Sequence, residues 1–136
     1  MKKKALKKKS PARASAPVAS KTLAPKLAKG ERLVGVTLHN DRLAHLVLLP
    51  GELEGTYAEA LKWAKGKGGE LPTRIDQLVL LDKAKSEFKP KWHWSCESYA
   101  SVSDYAWIQS FSTGDQTSSW KDLRYMARAV RREPIQ

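Results

Sequence analysis

Residues 92–116 read WHWSCESYASVSDYAWIQSFSTGDQ, and the period of their apolar positions decides the kind of fold the chain adopts. Trp92, Trp94 and Cys96 alternate with His93, Ser95 and Glu97; after a polar stretch, Tyr105, Trp107, Gln109 and Phe111 alternate with Ala106, Ile108 and Ser110. Period two belongs to strands, whose successive side chains point to opposite faces. The stretch predicts two short strands, and Gly114-Asp115 turns the chain into a return strand over Gln116 to Trp120. Lys121-Asp122 ends that strand, and the alternation from Tyr125 to Arg131 predicts one final strand.

Upstream of Pro90 the period changes to that of a helix. Thr73 is placed to cap RIDQLVLLDKAKSEF, with Ile75, Leu78, Val79 and Leu81, followed by Asp82, as the expected apolar stripe and Asp76 in the first turn, where the helix dipole favours a negative charge. Before it, Thr56 and Glu59 have capping-box spacing in TYAEALKWAKGKGG. Tyr57, Ala60, Leu61 and Ala64 share one face of that helix, and Gly66, Gly68 and Gly69 stop it. Further back, LVGVTL and LAHLVLLP flank His39-Asn40-Asp41-Arg42. Asn and Asp tolerate the positive φ of tight turns, so these runs predict a hairpin with strands near 33–38 and 43–49, ended by Pro50-Gly51. The order is an N-terminal β-hairpin, two helices and a small antiparallel sheet, an α+β plan without a βαβ repeat.

A length of 136 residues allows one ordinary domain. The formal charge of +11 invites a nucleic-acid reading until its distribution is inspected. Ten of the 25 Lys and Arg (Lys2, Lys3, Lys4, Lys7, Lys8, Lys9, Arg13, Lys21, Lys26, Lys29) fall in residues 1–30, which hold no acid; from Glu31 onward 15 bases face 14 acids. The expected domain, 31–132, is electrically balanced. The basic segment, made of Lys, Ala, Ser and Pro without an aromatic, is expected to be a disordered tail over 1–30, because it buries too little apolar area to offset the entropy of ordering it. Counterion-release binding to phosphates, if the chain has any, belongs to that tail.

Cys96 is the sole cysteine, which rules out an intramolecular disulfide, and no spaced Cys/His set suggests zinc; no cofactor is implied. Pro11, Pro17, Pro25 and the lysines interrupt any signal-peptide apolar region, and no run approaches the roughly 20 apolar residues of a membrane span. The expected site of action is cytoplasmic, or one reached without a standard signal.

Three stretches, GGELPT (68–73), WHWSCESYASVSDYAWIQSFSTGDQ and YMARAVRR (125–132), together resemble the Lcl C-terminal domain family, over residues 57–132. That family is a domain of unknown function from bacterial surface proteins and phages, related in fold to C-type lectins. The resemblance implies a C-type-lectin-like domain, a binding module of bacterial or phage origin that is cytoplasmic or virion-associated, with ligand contacts on the loops of the late sheet. In its terms Leu71-Pro72-Thr73 starts the second helix, and Trp94-Ser95, Ala106-Trp107, Phe111 and Arg128 to Arg131 are mostly scaffold. Glu70 and Cys96 depart from the family's usual residues at their positions. Calcium-dependent sugar binding is not implied: the calcium-binding lectins use Glu-Pro-Asn or Gln-Pro-Asp with a Trp-Asn-Asp triplet, and Ser119-Trp120-Lys121-Asp122 puts a lysine where a ligand oxygen is needed. The formylglycine-generating relatives need a cysteine pair that this chain lacks.

Candidate sites follow from residue types. Among Trp63, Trp92, Trp94, Trp107 and Trp120, the strand residues Trp94 and Trp107 read as core, whereas Trp92 and Trp120 flank loops and are the ligand candidates. The loop ESYASVSD (97–104) adds Tyr99, Ser101 and Asp104. His93 and Cys96 invite a Cys-His nucleophile, but a strand sends residues three apart to opposite faces, so no catalytic residue is assigned. Arg124, Arg128, Arg131 and Arg132 read as scattered ion pairs. Two functions compete: a non-catalytic recognition domain for a protein or glycan, and a nucleic-acid-associated protein holding phosphates non-specifically through Lys2, Lys3, Lys4, Lys7, Lys8 and Lys9.

Overall fold

The computed structural model describes residues 24–135; Lys2, Lys3, Lys4, Lys7, Lys8, Lys9 and the rest of the expected tail up to residue 23 lie outside the described residues. Asn40 and Asp41 take φ of 51° and 62°, the left-handed pair a two-residue hairpin turn demands, and join β1 (Arg32–His39) to β2 (Arg42–Leu48). A short strand the sequence did not signal, β3 (Leu53–Gly55), leads into α1 (Tyr57–Gly66), whose capping box between Thr56 and Glu59 is complete in both directions. The next helix, α2 (Arg74–Ala84), has the same device, with Thr73 and Asp76 exchanging the two bonds. After a 3-10 turn at Lys85–Glu87 come β4 (Trp92–Ser98), β5 (Tyr105–Ser110), β6 (Gln116–Trp120), β7 (Tyr125–Ala127) and β8 (Val130–Pro134).

The expected final strand is in fact two, and they belong to different sheets. β7 joins a five-stranded sheet of order β3-β7-β4-β5-β6, whereas β8 crosses to the opening hairpin and completes a three-stranded sheet, β1-β2-β8. Arg128 holds the break: its guanidinium donates to the carbonyls of Glu87 and Leu49, and the Leu49 amide donates to Ala129 at 2.9 Å. The late sheet is also not wholly antiparallel, since β4 meets β7 in parallel at His93 and Met126. Residues 24–30 are the part of the expected tail the structure describes, and they touch the domain: Arg131 donates to the Lys26 carbonyl at 2.7 Å and pairs with Glu31 at 2.9 Å.

Two apolar clusters share the interior. One fills the space between α1 and the five-stranded sheet with Tyr57, Ala60, Ala64, Leu71, Trp94, Ala106 and Ile108; the other lies between α2 and the opening sheet with Leu46, Leu48, Leu80, Ala84, Phe88, Phe111 and Val130. β2 feeds both, because its alternation sends Val47 to the first and Leu46 and Leu48 to the second. Trp94 is fully buried, donates its indole N–H to Gly55 at 2.9 Å, and meets Tyr57 and Tyr125 edge-on. Phe88 and Phe111 stack at 4.0 Å in the second cluster.

The buried face of α2 is a second correction. Ile75 and Leu78 of the expected stripe are 47% and 51% exposed, and Asp76, Gln77, Leu80 and Ala84 point inward instead. Polar partners make this affordable. Asp76 accepts from Thr37 Oγ1 at 2.5 Å and from Arg132 at 2.6 and 3.0 Å; Gln77 donates to the His93 carbonyl and its own carbonyl accepts from Gln109 at 2.7 Å. Asp76 thereby ties β1, α2 and β8 together, and burial without those partners is strongly unfavourable for a carboxylate. In α1 the expected face holds except at Leu61, which is exposed.

Candidate functional site

β5 and β6 pair about the Gly114-Asp115 turn so that Tyr105 lies opposite Trp120, Trp107 opposite Ser118 and Gln109 opposite Gln116. These residues occupy one face of the five-stranded sheet, the face away from Trp94, because Trp94 pairs with Ile108. α2 covers only part of that face. Gln77 sits over His93 and Gln109, and the helix begins at Arg74, whose guanidinium lies 3.4 Å from the centroid of the Trp107 ring. Beyond Arg74 no helix among the described residues covers the rings: Tyr105 meets Trp120 at 4.6 Å, Tyr99 meets Trp107 at 5.4 Å and Tyr105 at 6.4 Å. Trp120 is 49% exposed. The result is a shelf of four tilted aromatic rings with one cation at its inner end.

Its frame is rigid for identifiable reasons. Arg74 Nε donates to Gln116 Oε1 at 2.9 Å, Gln116 donates to Gln109 and to the Arg74 carbonyl, and Glu97 accepts the Arg74 amide at 2.8 Å. β4 bends away after Trp94, where Ser95 Oγ donates to the Trp107 carbonyl and accepts from the Glu97 amide, and Cys96 donates its amide to Pro72. The 99–104 connection is closed by Tyr99 N–H on Tyr105, Tyr105 N–H on Val102 and Lys121 N–H on Asp104.

Of the residues expected to contact a ligand, Tyr99 and Trp120 belong to the shelf, and Ser101 and Asp104 are exposed on the connection beside it. Trp92 does not join them. It is half-buried on the opposite face, packed against the first cluster with Trp94, and lines a cavity of about 300 Å³ with Lys91, Arg124 and Tyr125. Trp107, expected in the core, is half-buried beneath Arg74. Arg74, Tyr105, Trp107 and Ser118 are shelf residues that composition alone did not single out; pairing the two strands about Gly114-Asp115 is the signal that brings Tyr105 to Trp120.

His93 and Cys96 lie on opposite faces. The His93 ring packs edge-on against Phe88 and Phe111, and burial pushes its pKa down to about 4. Cys96 packs against the other cluster, where burial, with Glu97 nearby, pushes its thiol up to about 11. A protonated thiol separated from a neutral imidazole assembles no Cys-His nucleophile. Among the described residues no group of three or more His, Cys, Asp or Glu side chains is arranged to hold a metal ion. The C-terminal arginines are engaged: Arg124 with Glu59, Arg131 with Glu31 and Glu133, Arg132 with Asp76 and Glu70, and Arg128 with carbonyls. No protein-family model matches the chain, and no curated protein matches its sequence.

Proposed function

We propose that this chain is a non-catalytic recognition domain of C-type-lectin-like architecture, akin to the Lcl C-terminal domains, and that it binds a glycan on the aromatic shelf. The observation that carries the reading is the row of Tyr99, Tyr105, Trp107 and Trp120, the first three half-buried and Trp120 exposed, on a sheet held rigid from behind. Tilted rings with a polar rim of Ser101, Asp104 and Ser118 suit the apolar faces and hydroxyls of a sugar better than an all-apolar partner. The order hairpin, two helices and late sheet, with the last strand returned to the first hairpin, supports the architecture.

Binding of the full chain to an immobilised panel of neutral and acidic oligosaccharides tests the reading. Tyr105→Ala with Trp120→Ala abolishes binding, while Trp92→Phe, on the far face, leaves it unchanged. Capture by none of the panel, or capture that survives the double substitution, overturns the glycan assignment.

The second reading, attachment to nucleic acid, rests on the charge of residues 1–30. Binding of that kind weakens steeply with salt and disappears when Lys2, Lys3, Lys4, Lys7, Lys8 and Lys9 become Gln, whereas shelf binding survives both changes.

A further inference from the structure

Two sides of α1 differ in character. Tyr57, Ala60 and Ala64 are buried in the first cluster, whereas Glu59, Lys62, Trp63, Gly66 and Lys67 recur at intervals of three and four and share the edge that runs beside β3. With Leu53, Glu54 and Arg124 they line a cavity of about 590 Å³. Nothing lies within 4 Å of the place a side chain at Gly66 would take, so the cavity stays open there. Gly51 acts differently: a Cβ on it would stand 3.1 Å from Lys67 Nζ and 3.8 Å from the Trp63 ring, and its absence lets Lys67 lie 6.0 Å from the ring centroid.

This cavity meets the one beside Trp92. Glu54 and Arg124 line both, so two half-buried indoles, Trp63 and Trp92, flank one guanidinium. Arg124 is fixed between them, donating to the Glu54 carbonyl at 2.9 Å and to Glu59 at 3.2 Å, which uses two of its five N–H donors. Lys62 and Lys67 line the first cavity and Lys91 the second, and among the described residues none of the three forms an ion pair. The two linings together hold four cations, Lys62, Lys67, Lys91 and Arg124, against two carboxylates, Glu54 and Glu59, and no Ser or Thr.

That chemistry differs from the shelf's, where one cation sits beside four rings and a rim of hydroxyls. A neutral sugar gains little from lysines. An acidic peptide would use the cations and leave the indoles without a matching group, and a duplex keeps its bases stacked on each other behind its phosphates. A single strand uses both features, since unstacked bases lie on aromatic rings while the backbone follows cations. The order indole, guanidinium, indole matches base, phosphate, base. Glu54, the carboxylate common to both cavities, can accept from the exocyclic amino group of a cytosine.

We propose that this groove binds a single-stranded nucleic acid, with bases against Trp63 and Trp92 and the intervening phosphate at Arg124. The site needs none of residues 1–30, and Trp92 lies across the sheet from the shelf.

Fluorescence anisotropy of a labelled oligodeoxycytidylate of about ten nucleotides tests this, with the full chain carrying Lys→Gln at positions 2, 3, 4, 7, 8 and 9 so that the basic segment adds no phosphate affinity of its own. That chain binds the single strand in preference to a duplex of the same length, and binding quenches the tryptophan emission. Lys62→Glu with Lys91→Glu, one exposed lysine from each cavity, weakens binding at least tenfold while the thermal melt stays in place, and Arg124→Gln weakens it too. Lys26→Glu with Lys29→Glu, the same change of charge elsewhere on the surface, weakens it far less. Absence of binding, equal binding of the duplex, binding without quenching, or equal losses from the two lysine pairs each overturns the proposal. So does deoxycytidine monophosphate competing as well as the oligonucleotide, which would confine recognition to a single cavity.

Discussion

The two faces of the five-stranded sheet have the same strands and opposite fates. On one, Trp94, Ala106 and Ile108 lie under α1, nearly sealed from water, and the one polar atom of Trp94 has found Gly55. On the other, α2 covers His93 and Gln109 with polar partners and then begins, at Arg74, before it reaches Tyr105 and Trp120. The difference teaches that exposure of an aromatic is set here by where a helix starts. β5 itself alternates without favouring either face, and Thr73, the cap that defines the start of α2, decides how much of the sheet stays open.

Three measurements break or sharpen this contrast. The largest effect belongs to the sealed face: Trp94→Ala leaves a cavity and a lost indole bond, and lowers unfolding stability by about 3–5 kcal/mol in denaturant titration, whereas Trp120→Ala stays within about 0.5 kcal/mol. Equal costs would erase the distinction between the faces. The next effect concerns the half-covered side. Burial disfavours protonated His93, holding its pKa at about 4 against 6.5 for the free side chain. Between those values the unfolded chain binds the proton and the folded one does not, so stability decreases as pH falls through that window, by at most about 3 kcal/mol. The denaturation midpoint followed from neutral to acid pH checks this, and His93→Gln flattens that segment of the curve; an unchanged slope in the variant would assign the acid sensitivity elsewhere. The smallest effect is at the boundary: Arg74→Ala removes the cation over Trp107 and costs roughly 0.5–1 kcal/mol. Its signature is a change in tryptophan fluorescence, as the Trp107 ring loses its cover. No spectral change would mean that Arg74 does not shield the ring in solution.

What was legible in the sequence is what neighbours in sequence decide. The Asn40-Asp41 turn and the caps at Thr56 and Thr73 involve partners within a few residues, and all are found where the sequence places them. The misread features involve distant partners. Asp76 is buried because Arg132, 56 residues away, neutralises it, so helix periodicity taken alone assigns the wrong face. The division of the last strand depends on Arg128 finding carbonyls on Glu87 and Leu49. The shelf was half legible: Trp120 and Tyr99 stood out by type, but Tyr105 and Trp107 needed a register, and Arg74 a helix orientation, to join them. Trp92 was grouped with Trp120 by its place near a loop, and β-alternation sends it to the other side.

The return of β8 to the opening hairpin has a consequence for synthesis. While a ribosome is still adding residues 33–48, the hairpin lacks its third strand, the arginine that balances Asp76, and the Val130 carbonyl and amide that the Glu70 backbone pairs with. These arrive with β8, nearly a full domain length further along the chain, and closure across such a separation slows folding. Until they do, the cluster around Leu46 and Leu48 lacks Val130, and apolar surface that the finished domain buries stays open to aggregation.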